Sequence, residues 1–269
     1  MKINNIDVII PICNVDGPDF DDRLNNLKEK IDSYPDFVKL IFVEQVINNG
    51  YSMYKHYLSD YGGKWITVNN PIFNKSWLIN LGYKISTSPY FIISEADCIP
   101  DGSADNYFEE LLYFLEKINP NWCFGWNRIN YLDRNRKTII RDDTPRKGMA
   151  EGGMVVFEKK FFEKIGMSNE LLKQLGGMDN ELIRRAEYYC KSKIMFPWKI
   201  IHHFHEKNYM KEKDWIHAKY RNDNIKIYKF VCKNLQYSID FLRNNKQGLL
   251  GNPLCAKINM KEFFNGDIF

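Results

Sequence analysis

Short, nearly unbroken apolar runs alternate along the chain with stretches whose apolar residues recur every three or four positions. Ile6–Ile12 (IDVIIPI), Val38–Val43 (VKLIFV) and Tyr90–Ser94 (YFIIS) show the first pattern, that of strands buried on both faces. Arg23–Ile31, with Leu24, Leu27 and Ile31 on one stripe, shows the second, as does Lys75–Ile85 with Trp77, Leu78, Leu81 and Ile85. A start of strand, loop, helix and strand predicts parallel βαβ units. Further strands are expected at Trp65–Val68, Trp122–Trp126, Thr138–Ile140 and Met154–Phe157. Further helices are expected at Asp105–Ile118, Lys159–Ile165 and from Asn180 to about Lys191, while Asn48–Tyr61 allows a short one. From about Glu212 to Asn244 the period is helical again, with a break expected near Asp223-Asn224.

Three clusters of polar residues stand at the ends of these elements. Tyr90–Ser94 runs into Glu95-Ala96-Asp97, and open α/β sheets bind ligands at the carboxyl ends of their strands. Two carboxylates at i and i+2 suit a divalent cation whose other ligands come from a substrate diphosphate. They equally suit a surface turn, because Pro100-Asp101-Gly102 follows at once. Asp179, with Glu181, follows a glycine turn (Leu175-Gly176-Gly177-Met178) and opens a helix, where capping alone would account for it at about 1 kcal/mol. His202, His203 and His205 form the third cluster. Carboxylates and imidazole around one ion favour Mn²⁺, with Mg²⁺ as the alternative.

Composition narrows the class. In 269 residues, 44% hydrophobic and 15% aromatic, the chain is rich enough in apolar side chains for a folded globular protein. No apolar run approaches the roughly 20 residues that span a bilayer, and the N-terminus does not read as a signal peptide. A cytoplasmic protein, or one peripheral to a membrane surface, is expected. The six cysteines are scattered with no CxxC pair, which argues against a zinc knuckle or disulfide framework and predicts buried free thiols. The net charge of +4 is uneven, with ten Lys/Arg against four Asp/Glu between Lys207 and Lys246. A second basic segment (Arg134, Arg136, Lys137, Arg141, Arg146, Lys147) is a candidate mobile loop.

The order IDVIIPI, IFVEQ, IFNKSWLINLGY, FIISEADCIP, EGGMVVFEKKFFEKIG, LGGMDNELIRR and IIHHFHE resembles the GT-A glycosyltransferases of the β-1,4-galactosyltransferase and chondroitin-polymerase type, over roughly Ile6 to Glu206. The resemblance implies a Rossmann-like, mostly parallel mixed sheet flanked by helices. Residues 1–206 would form the catalytic domain and 207–269 a basic helical extension packed on it. By the same resemblance Asp97 is the last residue of the family's metal-binding Asp-x-Asp, with Glu95 in place of the first. Asp179 is the general base, and His203, or alternatively His205, is the histidine metal ligand. Met178 stands where the family has an acceptor-contacting Glu, and Leu175 where it has a Trp.

The nucleotide-sugar donor, with UDP the default, is implied to meet the first loop (Pro11, Cys13, Asn14, Asp16), which lacks the family's usual Arg. Gln45, Asn74, Lys75 and Asn80 follow from the strand–Gln and FN(R/K)xxxLNxG elements, and Glu95, Ala96, Gly152 and Gly153 from the next two. Glu206–Trp215 is expected to order over the bound donor. The implied reaction is metal-dependent inverting transfer to a hydroxyl of a glycan or lipid-linked acceptor. Two other readings compete. A nucleic acid carrying a modified base could be the acceptor, held by the basic C-terminal region with its Trp215, Tyr220, Tyr228 and Phe230. The chain could instead be a non-enzymatic nucleotide-sugar-binding protein.

Overall fold

The computed structural model describes residues 2–13, 19–47, 51–145, 152–174, 176–204, 215–245, 247–256, 258 and 260–264. The chain begins β1 (Ile6–Cys13), α1 (Asp19–Ser33), β2 (Val38–Val46), α2 (Met53–Leu58), β3 (Lys64–Asn69), α3 (Lys75–Ile85) and β4 (Tyr90–Ser94). It continues β5 (Cys98–Pro100), α4 (Ala104–Ile118), β6 (Trp122–Phe124), β7 (Arg128–Leu132), β8 (Ile139–Asp143) and β9 (Met154–Glu158). It closes with α5 (Lys159–Lys164), α6 (Met178–Tyr189), β10 (Lys199–His202), α7 (Trp215–Lys233), α8 (Leu235–Asn244) and α9 (Met260–Phe263).

The main sheet has the order β3-β2-β1-β4-β9-β6. β1, β2, β3 and β4 pair in parallel, and β9 runs antiparallel to both β4 and β6. The fold is thus mixed α/β, with a mostly parallel Rossmann-like sheet flanked by helices. β1 and β4 are buried along almost their whole length, as their unbroken apolar runs require. Strand order reverses between β1 and β4, so the crevice beyond their carboxyl ends is the topological switch point. A second sheet, β5-β10-β7-β8, lies beside it and carries the polar end of β10 against the turn after β4.

α3 lies close on the sheet because Gly82 faces it. A Cβ built there would stand 2.5 Å from Ile9 Cγ2 and 3.2 Å from Val43 Cγ2. Trp77, Leu78 and Leu81 fill the remaining interface as the helical stripe predicts.

The C-terminal helices build a second apolar cluster, and its members come from both sides of residue 206. Leu171, Leu172 and Met178 pack with Ile227, Phe230, Val231, Leu242, Leu254 and Phe263. Buried Glu170 adds a polar tie: its carboxylate accepts from Gly248 N at 2.6 Å and Leu254 N at 2.7 Å. Trp77 Nε1 donates to Leu249 O at 2.8 Å, which fastens the same segment to α3.

Some expectations shift. The break in the C-terminal helical region falls at Asn234, between α7 and α8, not at Asp223-Asn224. Asn224 is buried within α7 and bonds Lys173 N, Lys173 O and Gly176 O, so it ties the helix to the glycine turn without interrupting it. Most of the basic 134–147 segment forms β8 and the turn before it, with Arg136 bound to Asn26 and Glu29 of α1; Arg146 and Lys147 lie outside the described residues.

Gly82→Ala is expected to lower stability by about 1–2 kcal/mol, because overpacking against Ile9 outweighs the gain in helix propensity. The urea-unfolding midpoint measures this, and an unchanged midpoint would mean that α3 has room to lift from the sheet.

Candidate active site

The end of β2 and the start of α3 are shaped by two buried amides. Gln45 accepts from Asn74 N at 3.0 Å and donates to Asn70 O at 2.8 Å and Ile72 O at 2.9 Å. Asn74 caps α3 by accepting from Trp77 N at 2.9 Å, and its Nδ2 donates to Glu170 O at 2.8 Å. Lys75 is therefore the first residue of α3, delivered to the carboxyl end of β4 with its side chain buried.

There the Lys75 ammonium joins two carboxylates from distant parts of the chain. It binds Glu95 Oε1, and it reaches both oxygens of Asp179, at 3.0 and 3.2 Å. Burial opposes the charge on Lys75, but the carboxylates of Asp179 and Glu95 outweigh it and hold the lysine above its ordinary range. Gly152 allows this convergence. A Cβ on it would stand 3.3 Å from Asp179 Oδ2 and 3.4 Å from Glu95 Oε1. Gly153, at φ +85°, accepts from Glu95 N at 2.9 Å and fixes where the carboxylate emerges.

Asp179 is not the helix cap. Gly177, at φ +82°, occupies that position, and Asp179 stands in the first turn with its carboxylate about one-third exposed. Glu181 separates from it. Its carboxylate turns into the core and pairs bidentately with Arg185, at 2.9 and 2.7 Å, both side chains being fully buried. Met178 is likewise buried, inside the second apolar cluster.

Beyond Glu95 the turn carries Asp97 against the end of β10. His203 N donates to Asp97 O at 2.8 Å, and His202 pairs with Cys98 across the β5–β10 ladder. The imidazole that faces the Asp97 carboxylate is that of His202, with Nε2 to Oδ1 at 3.6 Å. Its Nδ1 lies 2.9 Å from His203 O; donating there leaves the Nε2 lone pair directed at Asp97. Tyr131 packs on the ring, centroids 4.7 Å apart, and fixes its plane. His203, the ligand expected from sequence, is almost fully buried with its Nε2 3.4 Å from Glu29 Oε1. Burial depresses its basicity, while Glu29 pulls the other way.

Donor atoms of Asp97, Cys98 and His202 lie within 4.8 Å of one another. Burial first, then the charges of Asp97 and Glu95, pushes the Cys98 thiol well above its usual range, so it remains protonated. The usable set is one carboxylate and one imidazole, which fits an ion such as Mn²⁺ that takes further oxygen ligands from a substrate.

Beneath this turn lies a charge that the sequence reading missed. Lys30 of α1 is fully buried and donates to Ser94 Oγ at 2.7 Å and Glu95 O at 2.6 Å. Burial pushes it down to about 8, against the pull of Cys98, Asp97 and Glu95. The signal was its position, since three residues after Leu27 is the apolar stripe of α1.

The remaining expected site residues are distributed as follows. Pro11 and Cys13 end β1 opposite Val43 and Gln45, and burial pushes the Cys13 thiol up to about 12. Ala96 is half-buried in the acidic turn. Asn80 is held within the fold, bonding Ser168 O, Ser168 N and Glu170 Oε1 at 2.8 to 2.9 Å. Gln45, Asn74 and Asn80 thus spend their hydrogen bonds on placing Lys75, not on an open cleft. Asn14, Asp16, Leu175, His205 and most of Glu206–Trp215 lie outside the described residues. Among the aromatic residues of the basic extension, Phe230 is core, the Tyr228 hydroxyl accepts from Arg184 Nε at 3.4 Å, and Tyr220 lies beneath Lys173.

Lys30 yields a pH signature. Between pH 8 and its ordinary 10.5 the unfolded chain holds this proton more tightly than the folded one, so its burial penalty is full below 8 and is relieved as pH rises. The stability difference between wild type and Lys30→Met is expected to move toward wild type by roughly 2 kcal/mol from pH 7 to pH 10 in urea unfolding. A flat difference would mean that Lys30 does not carry a buried charge.

No protein-family model and no curated protein sequence matches the chain. Among solved structures, the crystal structure of S. aureus TarS 1-349 in complex with UDP-GlcNAc is similar, with a TM-score of 0.55 and 9% sequence identity. The match covers 77% of this chain and 61% of that one, so the chain spans about three-fifths of the length of that relative. What the two share is the fold, a mostly parallel Rossmann-like sheet flanked by helices, on which this chain places a Lys75–Glu95–Asp179 cluster and an Asp97–His202 pair at the switch point.

Proposed function

We propose that the chain is a metal-dependent, inverting glycosyltransferase that moves a sugar from a nucleotide-sugar donor, UDP-linked by default, to a hydroxyl of a glycan or lipid-linked acceptor. The observation that carries this reading is the meeting of Asp179 with Glu95, through Lys75, at the carboxyl end of β4 beside Asp97 and His202. The likeness in fold to a protein solved with UDP-GlcNAc supports a donor of that class.

The roles follow from charge and position. A departing nucleoside diphosphate gathers negative charge on its leaving oxygen. Asp97 and His202 would hold the divalent cation, Mn²⁺ or Mg²⁺, which as a Lewis acid stabilises that charge when bound. Lys75 orients Asp179 and Glu95 with hydrogen bonds to both. Asp179, the partly exposed carboxylate of the cluster, takes the proton of the acceptor hydroxyl as it attacks the anomeric carbon. Gly152 keeps the wall beside Asp179 free of side chain, so a sugar ring can approach it.

Asp179→Asn keeps the shape of the site and the hydrogen bond from Lys75 to its amide oxygen, yet has no basic carboxylate. It is expected to lower transfer by at least 100-fold while donor affinity stays within about threefold. Calorimetric titration of UDP-sugars, with and without Mn²⁺, paired with a transfer assay over several acceptors, measures both. Normal transfer by this variant would remove Asp179 as the base. Loss of donor binding would move it to the donor site.

A further inference from the structure

A cavity of about 740 Å³ opens between the C-terminal half of α3, β3 and the 242–250 segment. It lies at the end of α3 remote from Lys75, since ten residues of helix separate Lys75 from Ile85, about 15 Å. None of the residues placed in the active site lines it.

Its chemistry is divided. Ile66, Leu81, Ile85, Met167 and Leu242 form apolar walls. Leu249 and Leu250, 38% and 69% exposed, continue that surface to the mouth. A pocket of this size with such walls is suited to a ligand that buries hydrocarbon. The lining also carries two cations and one acid. The acid, Glu163, already accepts from the Tyr83 hydroxyl at 2.5 Å. Arg243 reaches Asp240 only at 3.9 Å, with both side chains about half exposed. Lys84 is exposed and makes no ion pair among the described residues, and its aliphatic stem lies along Gly248, another lining residue. Among the described residues the lining charge is therefore +1, beside apolar walls.

We propose that this cavity binds a single-chain amphiphile of the fatty-acid class, its hydrocarbon among the α3 and α8 side chains and its carboxylate against Lys84 and Arg243. A neutral hydrocarbon leaves both cations unanswered. A sugar or nucleotide would bury hydroxyls against Ile66, Leu81, Ile85, Met167 and Leu242, which offer no hydrogen-bond partner, while the amide nitrogens of Asn245 and Gln247 already donate to Phe241 O, Gly166 O and Leu242 O.

The test titrates dodecanoate, with dodecanol as the uncharged control, into the full chain by isothermal calorimetry. Two variants accompany it: Lys84→Glu, at an exposed side chain, and Leu249→Asp, at a partly exposed one whose structural contact is made by its backbone carbonyl. Thermal unfolding confirms that each variant is folded. Saturable dodecanoate binding that weakens about tenfold or more in Lys84→Glu, with dodecanol unchanged, and loss of both ligands in Leu249→Asp, support the proposal. No saturable binding of dodecanoate at about 1 mM overturns it. Equal affinity in wild type and Lys84→Glu overturns the head-group assignment. Binding to anionic phospholipid vesicles without any response to free dodecanoate shows a surface patch in place of a cavity, and overturns it too.

Discussion

The buried ammonium of Lys75 is the constraint around which the site is arranged. Two carboxylates, Glu95 and Asp179, stand more than eighty residues apart in sequence and approach the same glycine wall. Without a cation between them they would repel at short range in a medium that screens poorly. Burial opposes the charge of Lys75, and the charges and hydrogen bonds of the two carboxylates together outweigh that cost. The three groups are therefore mutually dependent, and the rest of the fold serves to deliver them. β4 brings Glu95, the glycine turn before α6 brings Asp179, and the first position of α3 brings Lys75.

That delivery rests on amides more than on apolar packing. Gln45 holds the entry to α3, Asn74 caps it, and Asn80 ties its middle to the 168–170 segment. Glu170 extends the same network to the C-terminal segment, because its carbonyl meets Asn74 while its carboxylate meets Asn80, Gly248 and Leu254. Each of these groups is buried, and a buried polar group is tolerated only when its partners are in place. The C-terminal helices are in this way part of the scaffold that sets Lys75. Their cluster takes Met178 from the first position of α6, one residue before Asp179.

The large elements were legible in the sequence because burial on both faces writes an unmistakable pattern. β4 and α3 fall where the apolar run and the helical stripe put them, and β1 and β2 differ only at their ends. Short strands left weaker traces. β5 is only three residues and β7, unlike β4, is buried at just two of its five, so neither writes a clear pattern, and their pairing with β10 depends on contacts far away in the chain. At the site, residue types were readable but their partners were not. Asp179 and Glu181 look alike as first-turn acids, yet two positions along a helix differ by about 200° and send one to the cleft and the other to Arg185. His202 and His203 alternate across the end of a strand, and nothing local decides which ring meets Asp97.

The replacement of an expected Asp by Glu95 follows from the same charge balance. Its longer side chain reaches Lys75, so this carboxylate is committed to a cation that the protein already supplies. On the proposed reading, metal binding then falls to Asp97 and His202, further along the turn. Counting Glu95, Asp97 and Asp179 against Lys30 and Lys75 leaves one net negative charge. On the same reading, that residue of charge would favour entry of a divalent cation and is small enough not to repel a donor diphosphate arriving with it. Removing either lysine would make the pocket more negative, which on the proposed reading shifts the balance toward the ion and away from the donor. Both cations are held by hydrogen bonds within the fold, so the field at the switch point is set before any ligand arrives.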